Sequence, residues 1–231
     1  MLGDIITRRL VICAVLGVVM VSVVAHAHAD QASLDRPDTP PLSPTRLAEA
    51  KQAPEIKQAI TLAKTMGYHH LKDAAALLRP LADAGNPVAQ MELASVYASP
   101  GSATVSDPKT AMLLYKQSAA QGYAPAEVAL GKAYRLGQGV EVDKGEATYW
   151  YRQAAQQKDP VGEALYGVAL LLGDGCKKDM QAGSALLDEA ARTDPALGLM
   201  VPLLKPQLTE AGSQSADGVD NLAVMTAQIF Q

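Results

Sequence analysis

Histidine, cysteine and aromatic side chains are scarce in this chain of 231 residues: four histidines, two cysteines, one tryptophan, one phenylalanine, and 4% aromatic residues in all. Each shortage excludes something. Two cysteines cannot staple a chain of this length, so it is not a disulfide framework. A histidine-based metal centre or a Ser-His-Asp set has little to draw on. A basic excess is missing too: 20 Lys+Arg are outnumbered by 24 Asp+Glu, for a net charge of −4, which leaves no electrostatic footprint for nucleic acid. The chain is not disordered throughout, because its hydrophobic content of 48% is ordinary and its net charge small. The length suggests one or two domains and is ample for a buried core.

Residues 1–29 read as a signal peptide. Arg8 and Arg9 precede an apolar or small run from Leu10 to Ala25, followed by Ala-His-Ala-His-Ala. A positive start, a short apolar stretch and small residues at −3 and −1 describe an export signal, with cleavage expected after Ala29 and Ala27 as the other candidate. The run is shorter than the ~20 residues of a spanning helix, so an uncleaved N-terminal anchor is the alternative. Cys13 lies early in the run, behind Ile12, and does not suit lipid attachment. Cleavage removes Arg8, Arg9 and Asp4, moving the net charge from −4 to −5, and leaves Cys176, His69 and His70 as the remaining cysteine and histidines.

What the sequence does contain is a repeat. At a single shift of 36, Gly131 falls on Gly167, Ala133 on Ala169, Gly137 on Gly173, Gly139 on Gly175, Asp143 on Asp179 and Ala155 on Ala191. Backwards at the same shift, Asp107, Ala111, Tyr115 and Ala119 precede Asp143, Ala147, Tyr151 and Ala155. Leu93 and Tyr97 precede Leu130 and Tyr134 by 37. Such periods indicate stacked supersecondary units. Each unit reads as two antiparallel helices. The first carries Leu130, Ala133 and Tyr134 and ends at Gly137, where glycine accepts the left-handed conformation; Gly139 adds a second permissive position. Asp143 then offers an N-cap oxygen, with Glu146 as a capping-box partner. The second helix carries Ala147, Trp150, Tyr151, Ala154 and Ala155, small residues alternating with large ones so that neighbours interlock. Alternating β-type runs are absent. The expected fold is all-α, an α/α solenoid.

These residues resemble the Sel-one-like repeat, a variant of the tetratricopeptide repeat. Its pattern reads here as Ala126, Leu130-Gly131, Tyr134, Gly137, Gly139-Val140, Asp143, Ala147, Trp150-Tyr151 and Ala154-Ala155. The first unit departs at Ala94, where glycine is expected, and has Pro100-Gly101-Ser102 in its loop; the third has Leu186-Leu187 for Trp-Tyr and Cys176 for Val140. The resemblance implies a right-handed superhelix that binds proteins or peptides on its concave face, and no enzyme activity. A cysteine-rich secreted branch of the family links the two helices of each repeat by a disulfide. This chain has no such pair, so that branch's properties do not carry over.

Residues 30–45 are a proline-rich linker, and 46–86 hold N-terminal helices, split at Pro54, and a half-repeat. Three repeats occupy 87–194. Residues 195–211 form a C-terminal capping helix, bent or broken at Pro202. Residues 212–231 are a linker and apolar tail, with Leu222, Met225 and Ile229 at helical spacing, which either caps the solenoid or docks on a partner.

The site inventory begins with what is not expected: no catalytic residue, no cofactor and no metal. His69-His70 are adjacent and so point apart on a helix, unlike ligand pairs at i, i+4. Cys176, beside Lys177 and Lys178, has neighbours that favour thiolate, yet it occupies the turn-valine position and reads as a half-buried small hydrophobe. The binding face follows by subtraction from packing. Val128, Lys132 and Arg135 form the opposite stripe of the first helix, with Met91, Ser95 and Ala98, then Ala164, Val168 and Leu171, as repeat equivalents; Tyr149 is a further exposed candidate. Leu93, Tyr97, Tyr115, Leu130, Gly131, Tyr134, Gly137, Gly139, Asp143, Trp150, Tyr151, Gly167, Gly173, Gly175 and Asp179 are structural repeat positions. The expected function is a periplasmic or secreted adaptor or regulator that binds a protein or peptide of the cell envelope, with no nucleic-acid partner, no membrane association after cleavage and an open oligomeric state. The rivals are an accessory or weak hydrolytic protein acting on cell-wall material and a self-assembling scaffold.

Overall fold

The computed structural model describes residues 43–65, 70–99 and 106–213. The signal peptide, most of the proline-rich linker, His69 and the apolar tail lie outside the described residues. Among the described residues the chain forms ten α-helices and no strand: α1 (Pro44–Gln52), α2 (Pro54–Thr65), α3 (Leu71–Asp83), α4 (Pro87–Ala98), α5 (Pro108–Ala119), α6 (Ala124–Leu136), α7 (Lys144–Gln156), α8 (Pro160–Leu172), α9 (Met180–Thr193) and α10 (Pro195–Ser213). Each helix packs on its chain neighbour. The pairs α4/α5, α6/α7 and α8/α9 are three helix-turn-helix units, so the fold is an α/α solenoid. The first helix begins at Pro44 rather than at 46, because the Ser43 hydroxyl accepts a hydrogen bond from the Arg46 amide and caps it.

Helix starts are set by side-chain caps. Asn86, Asp107, Asp143, Asp159 and Asp179 each accept backbone N–H groups of the following first turn. In α4, α5 and α8 a proline follows the cap, where its missing N–H costs nothing. The capping box is only half built. The Glu146 amide donates to Asp143 at 2.9 Å, but the Asp143 amide donates to the Tyr134 carbonyl at 3.0 Å, not to Glu146. Asp107 and Asp179 repeat this with the Tyr97 and Leu170 carbonyls at 2.9 and 3.0 Å. Each N-cap therefore also closes the turn between the helices of its unit.

The turns end as the glycines require. Gly137 and Gly173 stop α6 and α8 in the left-handed conformation at φ 71° and 72°. At Gly139 and Gly175, φ is again positive, and a Cβ would collide with the Pro108 and Lys144 carbonyls of the preceding unit. These glycines set the distance between repeats as well as the turn.

The core is one continuous column of alanine, leucine and tyrosine running from Ile56 to Leu208, with Trp150 2% exposed near its middle. Gly131 lets α7 approach, since a Cβ there would lie 2.5 Å from the Tyr151 ring. Helix α10 runs without a break through Pro202 and Pro206. Both prolines are exposed and four residues apart, so the hydrogen bonds they forfeit lie on one solvent-facing side, where water serves the carbonyls.

Candidate protein-binding cleft

First helices of successive units usually touch: α2 packs on α4, α6 on α8, and α8 on α10. The pair α4 and α6 does not close in this way. Between them lies a cleft of about 500 Å³. Met91, Ser95, Ala98 and Ser99 of α4 and its end form one wall, and Pro125, Val128, Ala129 and Lys132 of α6 the other. Tyr115 of α5, Gln138, Asp159 and Val161 complete it.

The departure at Ala94 bears on this gap. In the middle unit Gly131 leaves room for the Tyr151 ring, and the Tyr151 hydroxyl is buried without a hydrogen-bond partner. Ala94 carries the methyl that Gly131 omits. Tyr115, the repeat counterpart of Tyr151, lies instead with its hydroxyl 3.2 Å from the Ser95 hydroxyl and lines the cleft.

The cleft is apolar with a charged end. Lys132 is half-buried; loss of water lowers its pKa to about 8, partly opposed by the nearby Asp159 carboxylate. Asp159 is shifted upward by burial, against the stabilising N–H groups of Gly162 and Val161 that it caps. Burial likewise raises the Tyr115 phenol, against its bond to Ser95. Lining side chains thus offer hydroxyls, an ammonium and a carboxylate against a methionine, alanine and valine surface, which suits a peptide segment carrying both apolar and polar groups.

The structure places the expected binding stripe unevenly. Met91, Ser95, Ala98, Val128 and Lys132 line the cleft, although Val128 is itself buried. Arg135 does not belong to an open groove: it is 6% exposed, with Nε 2.6 Å from Asp174 of the next turn, and Lys144 approaches the same carboxylate at 3.4 Å. Ala164, Val168 and Leu171 are corrected too, being core residues: α8 is packed by α6, α7, α9 and α10, ten of its thirteen residues are buried, and Leu171 lies against Gly183 of α9. The apolar run Ala-Leu-Tyr-Gly-Val-Ala-Leu-Leu-Leu carried that signal, since a helix apolar all round is buried all round. Tyr149 is half-buried, edge-on to Trp150 with ring centroids 5.1 Å apart, and does not reach the cleft. His70 is half-buried with Nδ1 3.4 Å from Asp73. Burial and Asp174 push the Cys176 thiol up, not down, and its Sγ lies 3.6 Å from the Ala169 carbonyl, so the two lysines do not make it a thiolate.

One feature escaped sequence reasoning. Gln90, Glu127 and Glu163 are repeat equivalents and all buried, at 6%, 5% and 1% exposure. Gln121 donates to Gln90 at 2.8 Å, and Gln157 to both oxygens of Glu127 at 2.9 Å. Glu163 takes Lys158 at 3.3 Å. The two glutamines tie the helices of their own units together, Lys158 joins the second unit to the third, and burial raises the Glu127 pKa to about 7 against its bond from Gln157. Gln121 and Gln157 share the 36-residue shift, which was the available signal.

A column of two-helix units joined by repeated caps and turns, with a cleft between first helices, defines an α/α repeat scaffold. The Sel1 repeat family model matches residues 87–123, 124–159 and 162–192, three successive repeats. Repeats of this kind generally serve as protein-interaction scaffolds. A solved Sel1 repeat protein from Oxalobacter formigenes is similar, with 28% identity and a TM-score of 0.50, over 52% of this chain and 90% of that one. The protective antigen c5321 of uropathogenic Escherichia coli, which displays an SLR fold, matches at 20% identity and a TM-score of 0.36, over 76% of this chain and 44% of its own. No curated protein matches the chain.

Proposed function

We propose that this chain is an exported protein-binding adaptor of the cell envelope, which takes a segment of its partner into the cleft between α4 and α6. The observation that carries the reading is the cleft itself: first helices pack together on either side of it and stand apart only there among the described units. Export is supported by the Arg8-Arg9 start and the Leu10–Ala25 run. Binding is tested by capture from envelope extract followed by affinity measurement with the recovered partner. Met91→Glu and Lys132→Glu are expected to weaken binding at least about tenfold, whereas Arg152→Glu on the exposed side of α7 leaves it unchanged. Equal affinity of all three proteins removes the cleft as the binding site. For export, fractionation and N-terminal sequencing are expected to find a chain beginning at Asp30 outside the cytoplasm; an unprocessed cytoplasmic chain refutes it.

A further inference from the structure

The buried polar position and the repeat glycine each have a counterpart one unit further on. Shifted by 36, Glu127 and Glu163 lead to Leu199, and Gly131 and Gly167 to Leu203. In the first and second units the first of these positions is reached from the end of the unit's own second helix, by Gln121 and Gln157, and in the second and third units the second position meets that helix at Tyr151 and Leu187. They are buried there. On α10 they are the most exposed large hydrophobic residues, at 77% and 72%. The opposite face of α10 is closed, with Leu197, Val201 and Leu208 all at 4% exposure or less. Helix α10 is thus the first helix of a fourth unit whose second-helix face stands open.

We infer that residues 219–230 of this chain, outside the described residues, form the second helix of that unit and dock on Leu199 and Leu203. The length and make-up of the chain that follows α10 support the occupant: it is long enough to fold back along the helix, and Leu222, Met225 and Ile229 recur at helical spacing. The turn glycines do not carry over: Gly137 and Gly139 lead to Thr209 and Ala211, and α10 accordingly runs on to Ser213. Gly212 and Gly218 supply the turn instead. A helix started at Val219 and running back along α10 rises ~1.5 Å per residue, which brings Ile229 level with Leu203 and the chain's one phenylalanine, Phe230, within reach of Leu199. Leucine at 203 removes the room that Gly131 leaves for the Tyr151 ring.

The test is hydrogen exchange of the tail in the purified protein, read by mass spectrometry across a range of concentrations, with sedimentation for mass. Tail amides are expected to exchange at least about tenfold more slowly than a coil, independently of concentration, in a monomer. Both Leu199→Glu with Leu203→Glu and Leu222→Glu with Ile229→Glu are expected to return the tail to coil rates while α4–α8 stay protected, and Leu113→Glu, an exposed leucine of α5, to change nothing. A tail at coil rates in the unaltered protein overturns the inference. So does tail protection that survives loss of Leu199 and Leu203, or that grows with concentration alongside a dimer, which would assign the face to a second copy.

Discussion

Glu127 is the residue whose chemistry is most changed by the fold. Its pKa, raised from 4.5 to about 7 chiefly by burial, means the folded chain holds the proton longer than the unfolded chain does. An acid shifted upward contributes stability at low pH that is lost as pH climbs from its unfolded to its folded value. Stability is therefore expected to fall by roughly 2–3 kcal/mol between pH 4.5 and 7 from this group, at about 1.36 kcal/mol per pK unit. The raised Asp159 carboxyl acts in the same direction. Lys132 acts at the other end: its lowered pKa, about 8, returns stability as pH rises from there toward 10.5. Glu127→Gln reproduces the Gln90–Gln121 pair that the preceding unit already uses. Urea denaturation of that variant is expected to give a flattened profile between pH 5 and 7 with higher stability at pH 7; an unchanged slope rules out Glu127 as its source.

Two further substitutions separate paired from unpaired buried groups. The Tyr151 hydroxyl is buried and has no hydrogen-bond partner, so Tyr151→Phe is expected to be neutral or stabilising by up to about 1 kcal/mol. Arg135→Met strands the Asp174 carboxylate, 6% exposed, beside only the half-exposed Lys144, and is expected to cost about 3 kcal/mol or more. Thermal melts of both variants decide: a damaging Tyr151→Phe or a harmless Arg135→Met contradicts this account of the core.

At the scale of elements, the turn governs stacking. Gly139 combines a φ of 75° with a Cβ direction that runs into the Pro108 carbonyl, so alanine there meets a backbone penalty and a clash at once. Gly85 has a similar φ of 83° but open space around it. Gly139→Ala is expected to cost at least about 2 kcal/mol, and Gly85→Ala about 1, the price of the conformation alone. Equal losses at the two sites, measured by denaturant titration, would falsify the stacking role of Gly139. The turn glycines and aspartate caps were readable as motifs because local conformational rules fix them. That the same glycines meet the preceding unit was not, because the contact partner lies 31 residues away.

For the whole molecule, stability in a repeat array is a sum over units and the interfaces between neighbours. The open cleft between α4 and α6 makes that junction the weakest among the described units. Native-state hydrogen exchange is therefore expected to find α1–α4 opening at lower free energy than α6–α9, and uniform protection along the array refutes a weak junction there.

The sequence alone determined the helical class, the unit length and the caps and turns of the three repeats, because these rest on propensities and spacings within about forty residues. It also carried the fold's likeness to a protein-binding repeat. Only the tertiary structure decided which face stays open. The repeat pattern makes the stripe of Val128, Lys132 and Arg135 and its equivalents alike in every unit. Packing broke that symmetry: α8 is enclosed by α6, α7, α9 and α10, which buries Ala164, Val168 and Leu171, Asp174 drew in Arg135, and among the described units a cleft lined by Tyr115 opens only beside α4. Exposure depends on which helix comes to lie across another, and a pattern shared by all units does not encode which neighbours each unit has.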